Sequence, residues 1–82
     1  MSHYQDRFLQ DVRAEREVQD QKWGGEQHDR HHQPEDWALL LTKHVGKLAD
    51  AAMEGEDARY LHQLIRVAAL CTAAWEVYAD KP

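Results

Sequence analysis

Apolar residues lie on two opposite sides of one helical stretch near the C-terminal end, and that arrangement limits what the chain can build. Over about residues 57–79, Leu61, Leu64, Ile65, Ala68, Cys71 and Trp75 follow the repeat of one helix face. Val67, Leu70, Ala74 and Val77 follow it on the other side. A helix apolar on two sides has to be covered on two sides. The chain has 82 residues, enough for one small domain. A domain of that size buries only about 60–65% of the surface its unfolded chain exposes. Two further helices from the same chain can hardly enclose the third. The sequence therefore predicts a homodimer or tetramer, in which these helices from different subunits help to complete a bundle.

The rest of the chain supplies those two helices. Pro34, Glu35 and Asp36 mark a helix start, because proline fits the first turn and acids favour its positive end. Trp37, Leu40, Leu41, Val45, Leu48 and Ala52 then share one face, and Lys43, Lys47, Asp50 and Glu54 form a charged stripe on another. Gly55 closes this helix, as glycine does past a C-terminus. An earlier helix starts near Ser2, a residue able to cap it, and carries a thin apolar stripe of Tyr4, Phe8 and Val12 with Leu9 alongside. Gly24-Gly25 ends it, and a His-rich loop with His28, His31 and His32 leads to Pro34. The expected helices are about 2–23, 35–54 and 57–79, with the loop at 24–34. With no strand signal, repeat or linker, the chain reads as one all-α domain.

Charge and cysteine content narrow the function. The net charge is −5, which argues against nucleic acid as a partner, since phosphate contacts along a strand need clustered Lys and Arg. It argues equally against an anionic membrane surface. The single cysteine, Cys71, lies in an apolar run. It reads as a small buried residue, and one thiol makes no internal disulfide, so a reducing compartment is expected. The N-terminal residues lack the apolar core of a signal peptide, and no apolar run reaches membrane-spanning length. The expected location is the cytoplasm.

Several motifs together resemble a known family. Glu15-Arg16-x-x-Gln19-Asp20-x-Lys22-Trp23-Gly24, followed by His28 and Trp37, resembles the MazG-like branch of the all-α nucleoside triphosphate pyrophosphohydrolases. The residues around the start of the second helix are also similar to the dCTP pyrophosphatase branch, and the segment from Leu61 to Trp75 resembles the family's third helix. The resemblance implies an all-α, oligomeric fold and a nucleotide house-cleaning activity. The short size and the signature are similar to members carried by phages and mobile elements. Family members use E-E-x-x-E on one helix and E-x-x-D on the next. Acids so spaced share a helix face, and two facing helices then hold Mg²⁺, which takes oxygen ligands and bridges to phosphates.

Carried over residue by residue, the E-E-x-x-E positions are Lys43, His44 and Lys47, with Val45 and Gly46 between them, and the E-x-x-D positions are Gln63 and Arg66. None of the five acids is present, and Lys or Arg stands at three of the positions. The expectation is a degenerate member without Mg²⁺-dependent catalysis and with no resident cofactor; Mg²⁺ enters only if catalysis is retained. Four readings of the replaced site compete. It is a solvated helix face held by pairs such as Lys47–Asp50, or a metal-free anion pocket in which Lys43, Lys47 and Arg66 bind phosphates directly. It is alternatively a protein-binding module that kept the fold, or an enzyme acting through other ligands. Lys22 and Trp23, the retained part of the signature, are candidate nucleotide contacts. His28, Asp29, His31 and His32 offer N and O ligands to Zn²⁺ or Ni²⁺ but sit in a loop without fixed geometry, and ordinary exposed histidines are the expectation. His44 is expected near the edge of its helix's apolar face, paired with an acid or packed. Trp37 and Trp75 read as core, and Trp23 is left open.

Overall fold

The computed structural model describes residues 3–24 and 32–79. Helix α1 spans His3–Trp23, α2 Pro34–Met53 and α3 Asp57–Ala79, and no strand occurs among the described residues. The fold is all-α, with helix ends within a residue or so of those read from sequence. Ser2, His28, Asp29 and His31 lie outside the described residues.

Local chemistry sets the ends of α2. Gln33 is extended (φ −90°, ψ 165°), its backbone N–H donates to Asp36 Oδ2 at 2.8 Å, and Pro34 takes the first helical position, where no N–H is needed. At the other end Gly55 adopts φ +70°, which is left-handed backbone. This lets the Glu56 N–H donate to Ala51 O at 3.0 Å and the Gly55 N–H to Ala52 O at 3.3 Å, a Schellman closure. The chain then reverses into α3.

Helix α3 lies between the other two. It pairs antiparallel with α2 through that tight turn. It runs parallel to α1: Tyr4 and Phe8 lie beside Leu61, Leu64 and Ile65, and Arg16 lies beside Thr72 and Glu76. The Arg16 guanidinium is the main polar link of this pair. Its Nη1 donates to Thr72 Oγ1 at 3.1 Å and meets Glu76 Oε2 at 3.1 Å, while the Thr72 hydroxyl donates its own proton to Ala69 O at 2.7 Å. Among the described residues the backbones of α1 and α2 do not come within 8 Å of each other. A cleft therefore opens between them, floored by α3.

The core gathers at the end of the molecule where α1 stops and α2 starts. Trp37, Leu70 and Ala73 are buried there, with Trp23, Leu40, Leu41, Ala74, Val77 and Tyr78 packed around them. His32 leans on Trp37, ring centroids 4.9 Å apart, and its carbonyl accepts a hydrogen bond from the Tyr78 hydroxyl at 3.3 Å. The Trp37 expectation holds.

Three packing expectations do not. On α2 the buried residues are Trp37, His44 and Ala51, whereas Val45 and Ala52 are exposed. The buried line steps by seven residues, so α2 meets α3 along a coiled-coil-like seam one residue round from the stripe inferred from apolar residues alone. On α3, Trp75 is 71% exposed, Leu61 58% exposed, and Cys71 is exposed, so neither Trp75 nor Cys71 belongs to the core. The helix has two apolar sides as expected: Leu70 and Ala73 are buried with Ala74 and Val77 half-buried on one, whereas on the other Leu64, Ile65 and Ala68 are half-buried and Leu61, Cys71 and Trp75 exposed. On α1, Val12 is buried, but Tyr4 is 73% exposed and Leu9 is exposed.

Candidate anion-binding cleft

The cleft between α1 and α2 has a volume of about 250 Å³. Helix α1 contributes Glu15, Val18, Gln19, Lys22 and Trp23; α2 contributes Leu40, Lys43, His44 and Lys47; α3 contributes Arg66. Lys43 and Lys47 reach it because they are one turn apart on α2, and Glu15, Gln19 and Lys22 because spacings of four and three put them on one face of α1. Of the five positions where the sequence analysis sought acids, Lys43, His44, Lys47 and Arg66 line this single space, and Gln63 is buried against His44 on α3. Lys22 and Trp23 join them from the opposite wall. The candidate anion and nucleotide contacts thus fall in or directly behind one cleft, whereas His32 lies outside it.

Glu15, Val18, Gln19 and Leu40 also line it; Glu15 and Gln19 stand in the quoted sequence signature, but none of the four was assigned a role in the site. Glu15, Gln19 and Lys22 share a face with Trp23 beside it, a pattern that could have marked this wall.

The electrostatics are lopsided. Four basic side chains line the cleft against one carboxylate, in a chain of net charge −5. Glu15 is already engaged: Gln19 Nε2 donates to its Oε2 at 3.4 Å, and Arg66 Nε lies 3.6 Å from the same oxygen. The Arg66 Nη2 donates to His62 Nε2 at 3.1 Å. Lys22 lies over the Trp23 ring, 5.7 Å from its centroid. Among the described residues Lys22, Lys43 and Lys47 have no carboxylate within 4 Å. The Lys47–Asp50 pair does not form, and Glu54 turns instead to Arg59 at 3.4 Å. The charged stripe of α2 therefore splits, with its lysines in the cleft.

His44 is the buried polar group of this wall, only 6% exposed. Burial holds its pKa below the usual 6.5, and the neighbouring charges of Lys47, Arg66 and Lys43 push the same way, while the Gln63 amide against the ring pulls upward. The ring is therefore neutral at pH 7. Among the described residues its Nδ1 has no hydrogen-bond partner, and neither has Oε1 of Gln63. The sequence placed His44 near the edge of the apolar face; it is instead central to the buried seam, and no acid is paired with it.

This donor set does not fit Mg²⁺, which requires several oxygen ligands. The one carboxylate of the cleft is held by Gln19 and Arg66, and ammonium groups repel a cation. Among the described residues no group of three or more His, Cys, Asp or Glu side chains could hold a metal ion. Lysines and a guanidinium around a cleft suit an oxyanion instead. Fold and site together define an all-α three-helix unit carrying a cationic cleft. No family model, curated protein or solved structure matches the chain.

Proposed function

We propose that the chain is a degenerate MazG-like module that binds a phosphate-bearing anion, of the nucleotide class, in the cleft between α1 and α2 without Mg²⁺ and without cleaving it. The observation that carries this is the convergence of Lys22, Lys43, Lys47 and Arg66, from three helices, on one space with a single, already engaged carboxylate. Charge-assisted hydrogen bonds to phosphate are stronger than neutral ones, and three of these cations have no other anionic partner among the described residues. Trp23 also lines the cleft, and an aromatic at the wall of such a site suits a nucleobase, since base–aromatic stacking is worth about 1–3 kcal/mol per base. A nucleoside triphosphate supplies both chemistries.

The test is thermal unfolding of the purified protein with each nucleoside triphosphate, with and without Mg²⁺. A ligand present at a hundredfold excess over its dissociation constant adds about 2.7 kcal/mol to stability. The expected result is a rise in Tm that needs no metal, is weakened by Lys43→Glu and brings no release of pyrophosphate. A rise only with Mg²⁺, together with pyrophosphate release, overturns the proposal in favour of retained hydrolysis. No rise with any nucleotide leaves a protein-binding module as the reading to pursue.

Homo-oligomerisation belongs to the same proposal. Tyr4, Phe8, Leu61 and Trp75 are apolar, exposed and carried on α1 and α3. A second copy docked there covers the side of α3 that one chain leaves open. Among the described residues no helix is long and apolar enough to cross a membrane. A nucleotide ligand and the lone thiol Cys71 fit the cytoplasm.

A further inference from the structure

We propose that His44 couples the cleft to protons: an oxyanion seated among Lys43, Lys47 and Arg66 binds together with one proton, which is taken up on the His44 ring. This deepens the anion-binding reading and rests on it.

The geometry comes from two buried polar groups in contact. His44 on α2 and Gln63 on α3 are each 6% exposed, and His44 is part of the cleft wall while Gln63 backs it. Nδ1 of the ring and Oε1 of the amide both have no partner among the described residues. Nδ1 is closed off from solvent, and because the ring lines the cleft, Nε2 is assigned as the nitrogen that meets the anion. A neutral imidazole has one donor and one acceptor, whereas the protonated ring has two donors. The neutral ring can donate to Gln63 or to an anion, and in either case turns a lone pair towards the other oxygen. Only the charged ring donates to both at once.

The surroundings make the charged ring unfavourable until an anion arrives. Lys43 and Lys47 flank His44 on its own helix, and Arg66, with His62 against it, faces it from α3. Lys22 and Glu15 face it across the cleft from α1, and the Glu15 carboxylate is taken up by Gln19 and Arg66. An oxyanion placed among the cations cancels the repulsion that opposes protonation and supplies an acceptor to Nε2. By linkage the effect is reciprocal, so protonation tightens the anion as much as the anion favours protonation. Below the pKa of the anion-bound ring and above that of the free ring, affinity rises by about tenfold for each unit of pH lowered.

Sulfate is the probe, because it does not itself titrate near neutrality, and inorganic pyrophosphate is the second. The His44 ring is followed by NMR from pH 5 to 8 with and without sulfate, and sulfate affinity is measured at pH 6 and pH 8. The expected result is an upward move of the His44 midpoint on adding sulfate and roughly tenfold or greater tightening at pH 6. His44→Gln keeps a polar side chain and should bind with little dependence on pH, whereas His62→Gln should keep the dependence of the parent. Sulfate or pyrophosphate binding that is equal at both pH values, with an unmoved His44 midpoint, overturns the proton coupling and leaves the anion cleft standing. Absence of binding by either probe at every pH overturns both. The titration of the unmodified protein decides the matter even if His44→Gln fails to fold.

Discussion

His44 shows what a buried imidazole does in a cationic wall. A carboxylate on α2 at this position would sit among Lys43, Lys47 and Arg66 as their counter-charge. Histidine supplies no such charge, and burial first, then the neighbouring cations, holds it neutral. The consequence for stability has a definite sign. The folded pKa lies below the unfolded value of 6.5, so the unfolded chain binds the proton more readily. His44 therefore contributes its full stability above pH 6.5 and loses it progressively as pH falls from there towards the folded pKa. In the absence of anions, Tm should drop through that window, and His44→Gln should flatten the drop. An identical slope in the variant and the parent would remove His44 as its source. Sequence alone singled out His44 but misjudged its depth. A histidine scores as polar, so the stripe was drawn through Val45 beside it, and the seven-residue step from Trp37 to Ala51 that passes through His44 was not seen.

At the scale of elements, short-range chemistry was legible and docking was not. Pro34 with Asp36, and Gly55 with its positive φ, fix the ends of α2 within a few residues of chain, so the sequence located them. Which side of α3 is covered depends on where α1 and α2 cross it, a long-range outcome that apolar spacing does not encode. Trp75 and Cys71 were assigned to the core for that reason, and they lie on the open side. The link between α1 and α3 was also missed, although Arg16 stands in the sequence signature. Its guanidinium touches Thr72 and Glu76 on α3 and lies 3.6 Å from Asp20 on its own helix, with the side chain only 17% exposed. Arg16→Met should lower stability by roughly 1–3 kcal/mol, since Glu76 and Thr72 lose a charged donor. Denaturant unfolding measures it. A change within about 0.5 kcal/mol, the usual effect of a surface substitution, would mean that the Arg16 contacts do not hold α1 in place.

At the scale of the molecule, the same three helices create a cleft and leave a bare side. The cleft exists because α3 separates α1 from α2, and its charge exists because basic residues stand on both walls. The sequence singled out these positions, Lys22 included, but not their convergence, because convergence requires the placement of all three helices. The bare side is the surface that a second copy would cover. Tyr4, Leu61, Met53 and Trp75 are largely exposed, and few large apolar residues are fully enclosed. The particle mass in solution should therefore be that of a dimer or tetramer, and Trp75→Glu, which puts a charge on the open side, should shift it towards the monomer. A monomer at all concentrations in the unmodified protein would contradict this.

The central claim is that the cleft holds a phosphate-type anion without a metal. The most direct measurement is calorimetric titration of inorganic pyrophosphate into the protein in the presence of EDTA, set beside the variant carrying Lys43→Glu and Lys47→Glu. The account predicts saturable binding to the parent chain, weakened by added salt as charge contacts are, and its loss in a variant that remains helical. Binding that the charge-reversed variant retains, or that appears only when Mg²⁺ replaces EDTA, would contradict it.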